Sequence, residues 1–221
     1  MTFTLVARCR DTGMLGLAVS SSSPAVASRC IHARAGIGAF ATQNFTDPTL
    51  GRRGLDLMEK GATAAQSIDI VSATASDAPF RQLAAIGPHA SPAAFTGASC
   101  LAQTAEHFGS DCVAVGNLLA STGVPAAMVA AFEATGGHLA ARLVAGLAAG
   151  LAAGGETEMV RSAGIVVVAD LPWPVVDLRV DWHEADPIAE LGRHWAVWEP
   201  RLPLYLARAL RPAEAPASDT V

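Results

Sequence analysis

Thr2 directly follows the initiator methionine and opens an alternating, largely apolar run, TFTLVARCR. A methionine before a residue as small as threonine is commonly trimmed. Trimming would leave an α-amine, which ordinarily titrates at about 7.7–8.0, beside the hydroxyl of the same residue. Such an amine is a usable base for its own hydroxyl, so Thr2 is the first candidate nucleophile. It has an ordinary role open to it as well, because threonine is a good strand former.

A hydrolytic reaction also needs donors for a developing oxyanion. Gln43, Asn44 and Asn117 stand where short apolar runs end and are the candidates for that work. Gln82 and Thr96, near the limits of two further runs, join them as substrate-binding candidates. Arg34 and Arg81 offer bidentate forks for a carboxylate, which points to a small anionic substrate. Each of these side chains has a plain alternative, since most polar side chains bond backbone. Cys100 has no base visible in the sequence, and free cysteines usually pack in cores. Asp181-Trp182-His183, with Asp186 close by, is a carboxylate–histidine cluster. An extended strand would turn Asp181 and His183 to one face. Two or three ligands from one segment are a weak metal signal, so neither metal nor cofactor is assigned.

The elements that must position these residues follow from periodicity. Thr2–Arg10 and Met14–Ser21 read as a hairpin around Asp11-Thr12-Gly13, with a strand buried on both faces. Strands are expected over 35–42, 81–86, 92–96, 112–116, 163–169 and 175–181. Thr63 and Gln66 form a capping box before a helix. Leu139, Leu143, Leu147 and Leu151 recur every four residues and define one helix face. Asp186 caps a helix with Pro187 at its first position, and Ile188, Leu191, Trp195 and Trp198 form its apolar stripe. That stripe suggests core, or the seam of a homodimer. Buried strands with helices in blocks give an α+β fold, a four-layer αββα sandwich. Residues 1–211 read as one domain and 212–221 as a disordered tail.

Composition narrows the function classes. Apolar residues make up 51% and charged residues 16%, a core-rich composition rather than a disordered one. A net charge of −5 argues against a nucleic-acid partner. No apolar run is long enough for a membrane span, and the N-terminus lacks the pattern of a signal peptide. Cys9, Cys30, Cys100 and Cys112 lack metal-ligand spacing, so a cytoplasmic protein with reduced thiols is expected. Lys60 is the single lysine, which restricts Schiff-base chemistry to that position.

Several blocks, in order, carry a resemblance: MTFTLVARCRDTGMLGLAVSS, ARAGIGAFATQ, GRRGLDLMEKG, RQLAAI, FTGASC, VGNLLA and VDLRVDWHEADPIAEL. Together they resemble the family catalogued as domain of unknown function 1028, from Thr2 to about Leu191. The resemblance implies the fold of the N-terminal nucleophile hydrolases. Some members appear alongside enamine/imine deaminases, which implies small nitrogen-containing metabolites. The family usually reads GGD-R-G-x-QSA where this chain has Gly154-Gly155-Glu156 through Arg161-Ser162-Ala163, and QGN where it has Val115-Gly116-Asn117. Those changes imply a different substrate or reduced activity. Proteasome-like members of the fold set a lysine beside the nucleophile. Here the nearest cation in the corresponding stretch is Arg34, which cannot act as a base. The expected function is hydrolysis of a small amide, imide or cyclic amide by Thr2 or an activated water. The alternative is a non-catalytic ligand-binding or assembly protein on the same fold.

Overall fold

The structure, a computed structural model, describes residues 2–216. Strand β1 (Thr2–Arg8) turns back into β2 (Leu15–Ser21) through a loop closed by the Cys9 N–H on the Met14 carbonyl, with Gly13 at φ +71°. One helical turn, α1 (Ala27–Cys30), leads into β3 (Ile31–Arg34) and β4 (Gly38–Asn44). Helix α2 (Pro48–Glu59) begins where Asp47 accepts the Thr49 N–H. Helix α3 (Ala64–Thr74) begins at the Thr63/Gln66 capping box expected from sequence. Next come β5 (Arg81–Ile86), β6 (Ala93–Thr96), β7 (Ala105–Phe108) and β8 (Cys112–Asn117). Helices α4 (Val124–Ala134) and α5 (Leu139–Ala152), strands β9 (Ser162–Val168) and β10 (Val176–Val180), and helices α6 (Pro187–Trp198) and α7 (Leu202–Leu210) complete the chain.

The strands form two antiparallel sheets. The larger runs β10-β9-β2-β1-β8-β7 and the smaller β3-β4-β5-β6. Alternation along β1 explains why it is buried throughout. Phe3, Leu5 and Ala7 join a core with Met128 and Phe132 of α4, Leu143 and Leu147 of α5, and Leu191 of α6. Val6 turns the other way, into a core shared by Leu17, Val19, Val113 and Val115 of the larger sheet and Ala39, Ala41 and Ala84 of the smaller. On its far face, the smaller sheet packs Phe40, Leu83 and Ala85 against α2 and α3.

Close approach is built in by glycine. A Cβ on Gly54 of α2 would lie 2.2 Å from the Phe40 ring, which fills the space beneath the helix. Gly54→Val is therefore expected to lower the melting temperature by several degrees, because overpacking a tight core costs about 1–3 kcal/mol. A circular dichroism melt within about 1 °C of wild type would contradict this packing.

Two differences from the sequence reading have clear causes. β7 reads Ala-Glu-His-Phe and lies at a sheet edge, where half-exposed and exposed positions leave no apolar pattern. β10 stops at Val180, so Asp181 and His183 are not strand neighbours. His183 Nδ1 instead accepts the N–H groups of Ala185 and Asp186, at 3.2 and 3.0 Å, ahead of the Asp186 cap. The tryptophan stripe is used inside the chain. Trp195 is buried against His138, and Trp198 stacks on Tyr205 and donates to the Val175 carbonyl. Within the terminal segment, Arg208 reaches the Pro216 carbonyl at 3.1 Å; residues 217–221 lie outside the described residues.

Candidate active site

The core between the sheets is apolar along most of its length and polar at both ends of β1: Arg8 reaches Asp111 and the carbonyls of Gly87 and Ala90 at the far end, and a cluster of hydroxyls and amides lies where the strand begins. On the larger sheet, register places Asn117 beside Thr2, and Ser162 beside Ser21. On the smaller sheet, Gln43, Gln82 and Thr96 form one row across β4, β5 and β6. These two rows face each other. Gln43 Nε2 lies 3.3 Å from the Thr2 carbonyl oxygen and 2.8 Å from Gln82 Oε1. Thr4 Oγ1 donates to Gln43 Oε1 at 2.5 Å. Asn117 Nδ2 donates to Gln82 Oε1 at 3.1 Å, and Gln82 Nε2 donates to Thr96 Oγ1 and the Gly116 carbonyl, both at 3.0 Å. Thr2 and Gln43 thus meet across the gap between two sheets, not along one sheet edge as a single-sheet arrangement would require.

On the β2 side, Thr2 Oγ1 is 3.5 Å from Ser21 Oγ, which in turn lies 2.8 Å from Ser23 Oγ. Glu156 stands next to this hydroxyl chain. Its Oε2 accepts the Ser22 N–H at 3.2 Å, and its backbone bridges to Leu119, two residues beyond Asn117. Burial pushes the Glu156 carboxyl up to about 7, because the charged form is poorly solvated. The positive amino terminus and the Ser22 donors pull against that rise, and Glu158 adds to it. Within this cluster two buried acceptors, Asn117 Oδ1 and Glu156 Oε1, have no hydrogen-bond partner among the described residues. The cluster is nearly closed, with Thr2 4% exposed and Gln43, Gln82 and Asn117 fully buried. A molecule that reaches Thr2 must be small or must displace part of the cover.

The structure brings Thr2, Gln43, Gln82, Thr96 and Asn117 together. Asn44 follows Gln43 by one residue and leaves the row: its Nδ2 donates to the Phe80 carbonyl and its Oδ1 accepts the Leu101 N–H. Arg81 likewise alternates away from Gln82 and holds the carbonyls of Phe45 and Ser76. Arg34 is paired with Asp56 and Glu59. It sits opposite Gly38, five residues up β4 from Gln43, or roughly 16 Å at about 3.3 Å per residue. Neither arginine contributes a fork beside Thr2. Cys100 donates to the Arg81 carbonyl, and burial raises its thiol, which disfavours a thiolate. Ser21 and Glu156 are the members that sequence reasoning missed. Their signals were the serine run Ser20–Ser23 and the acidic residue directly after Gly154-Gly155.

Each amide expected to serve an oxyanion donates at least one hydrogen bond to a protein acceptor in this arrangement. What remains unmatched is acceptor capacity, beside two hydroxyls and a carboxyl that titrates near neutrality.

The chain is thus an α+β protein of two facing antiparallel sheets whose shared interior turns polar where β1 begins. It belongs to the Family of unknown function (DUF1028), whose sequence model matches residues 2–191. Among solved structures, protein SPO2555 from Silicibacter pomeroyi, of the same family, is similar at a TM-score of 0.83 and 28% identity, over 89% of this chain and 88% of that one. Anbu (ancestral beta-subunit) from Yersinia bercovieri aligns over 92% of this chain and 96% of that one, at 11% identity and a TM-score of 0.43, a likeness too loose to carry a conclusion. No curated protein matches the chain.

Proposed function

We propose that the chain is a hydrolase of small amides, imides or cyclic amides, with Thr2 as its nucleophile, on a four-layer αββα sandwich of the N-terminal nucleophile hydrolase kind. The observation that carries the reading is the position of Thr2. It is the first residue of a central strand, buried in a polar cluster at one end of the inter-sheet core, with hydroxyls on one side and a carboxyl beyond. With Met1 removed, the neutral α-amine takes the Thr2 hydroxyl proton as Oγ1 attacks the carbonyl carbon. The C–N bond breaks, the proton passes to the leaving nitrogen, and water then hydrolyses the acyl ester. Near-closure of the site favours small substrates. Because Arg34 and Arg81 are committed elsewhere, neutral amides are better candidates than anionic ones.

The test is a panel of small primary amides, cyclic imides and cyclic amides, read by ammonia release and by addition of water in the mass spectrum. Wild type with Thr2 at its terminus is expected to turn over at least one member of the panel. Thr2→Ala is expected to abolish turnover and to melt within about 2 °C of wild type, since one hydroxyl at a strand start contributes little packing. Full activity in Thr2→Ala, or an intact mass showing Met1 wholly retained in active protein, would refute the nucleophile.

A second reading has its own support. The side-chain amides of Gln43, Gln82 and Asn117 each donate to protein acceptors, as a structural seam between sheets requires. On that reading the chain is a non-catalytic binding or assembly protein, and no panel member is turned over.

A further inference from the structure

We propose that Glu156, together with Asn117, forms the receiving site for the α-ammonium group of Thr2 once Met1 is gone, and that Glu156 takes the proton this group gives up. This inference rests on the reading of Thr2 as nucleophile and assigns the partner of its amine.

The placement comes from strand register. The ladder joining β1 to β2 pairs Phe3 with Ser20 and Thr4 with Val19. Continued by one step, it sets Thr2 opposite Ser21, so Ser22 lies just beyond the start of β1. Glu156 accepts the N–H of that Ser22. On the other flank, β8 pairs Asn117 with Thr2 and runs on to Leu119, the bridge partner of Glu156. Glu156 is therefore held from both neighbouring strands, just past the first residue of β1. That is the direction in which the nitrogen of Thr2 points along the strand.

The chemistry of the unmatched atoms fits the same partner. Asn117 Oδ1 and Glu156 Oε1 are both buried acceptors with no donor among the described residues, in residues 0% and 6% exposed. A buried acceptor left unmatched costs about 1–3 kcal/mol, so a site with two of them calls for a group rich in N–H donors. An ammonium has three. Asn117 Nδ2 is held by Gln82, which keeps the carbonyl end of that amide on the open side. The charged groups that act on Glu156 are the amino terminus and Glu158. A carboxyl balanced near neutrality by burial can accept the ammonium proton, giving a neutral amine and a neutral acid. The amine is then ready to take the proton of the Thr2 hydroxyl.

The test uses the full chain released with Thr2 at its terminus from a cleavable N-terminal fusion. Periodate cleavage of the 1,2-amino alcohol verifies the terminus. The amine is titrated by its rate of carbamylation with cyanate against pH, followed on the N-terminal peptide by mass spectrometry. In wild type the amine is expected to titrate at least one unit above the ordinary range of about 7.7–8.0, because a carboxylate beside it favours the ammonium. Glu156→Gln is expected to bring it down by about one unit or more, a tenfold change in the free-amine fraction at neutral pH, and Glu156→Asp to restore part of the rise. An amine in wild type at or below the ordinary range overturns the proposal even if no variant folds. So does a Glu156→Gln protein whose amine titrates as wild type. Neither result bears on whether Thr2 attacks substrate, which the Thr2→Ala panel decides separately.

Discussion

Replacing Gln82 with leucine is expected to lower the melting temperature by about 8–15 °C. Gln82 is the hub of the polar seam: its Oε1 accepts from Gln43 and Asn117, and its Nε2 donates to Thr96 and the Gly116 carbonyl. Leucine has similar volume, so the packing loss is small. What it leaves behind is the Asn117 Nδ2 donor and the Gly116 carbonyl in a site closed to water, and a Gln43 amide that loses one partner and keeps Thr4, Thr2 and Val115. Each buried group so orphaned costs about 1–3 kcal/mol, giving about 3–5 kcal/mol for the set. For a chain of this length about 2–4 °C is lost per kcal/mol. A second variant sharpens the reading. In Gln43→Leu/Gln82→Leu both members of the central pair become apolar, so the double loss should be smaller than the sum of the single losses. Simple additivity, or a Gln82→Leu melt within about 2 °C of wild type, would mean that the amides are not coupled as described.

The seam also shows what the sequence made legible. The hairpin at the N-terminus, the Thr63 capping box and the Asp186-Pro187 start of α6 follow from local chemistry, and the structure has each of them. Local chemistry also marked Thr2, Gln43, Gln82, Thr96 and Asn117 as polar interruptions of apolar runs. It could not say which face each one takes, because a strand reverses direction at every residue and the starting phase is set by tertiary packing. Hence Gln43 and Asn44 looked equivalent, and only Gln43 enters the seam. Arg81 and Gln82 divide in the same way. Arg34 depends on strand order: β3 is an edge strand, and its C-terminal end pairs with the far end of β4 from Gln43. Glu156 was hidden for a different reason. It lies in a loop after α5 with no period of its own, and its meaning comes from the strand ends it joins, Ser22 and Leu119, more than thirty residues away from it.

In the chain that begins at Met1, the Glu156 contribution to stability is expected to fall as pH rises from about 4.5 to 7, so wild type should lose stability relative to Glu156→Gln across that window. In the folded protein, burial holds the Glu156 carboxyl at about 7, whereas its ordinary value is 4.5. Between the two values the folded chain keeps a proton that the unfolded chain has released. At this group the unfolded state is then the one with fewer bound protons, so its contribution to stability decreases with rising pH across that window. Below about 4.5 the carboxyl is neutral in both states and its ionisation has no effect. Above about 7 the loss is complete; at about 1.4 kcal/mol for each pH step of one across the window, it amounts to about 3 kcal/mol. Glutamine cannot ionise and still offers an oxygen to the Ser22 N–H. Its melting temperature should therefore exceed that of wild type by about 6–12 °C at pH 8, and the two should converge near pH 4.5. Melts of both proteins at half-unit intervals from pH 4.5 to 8 read this directly, because the opposite contributions of His32 and His138, whose burial lowers their imidazoles, cancel in the difference; a difference that does not grow through the window would refute it. A carboxylate kept for structure loses stability when it is neutralised. One that gains it is held in place against the interest of the fold, which accords with the proton-accepting role proposed for it beside Thr2.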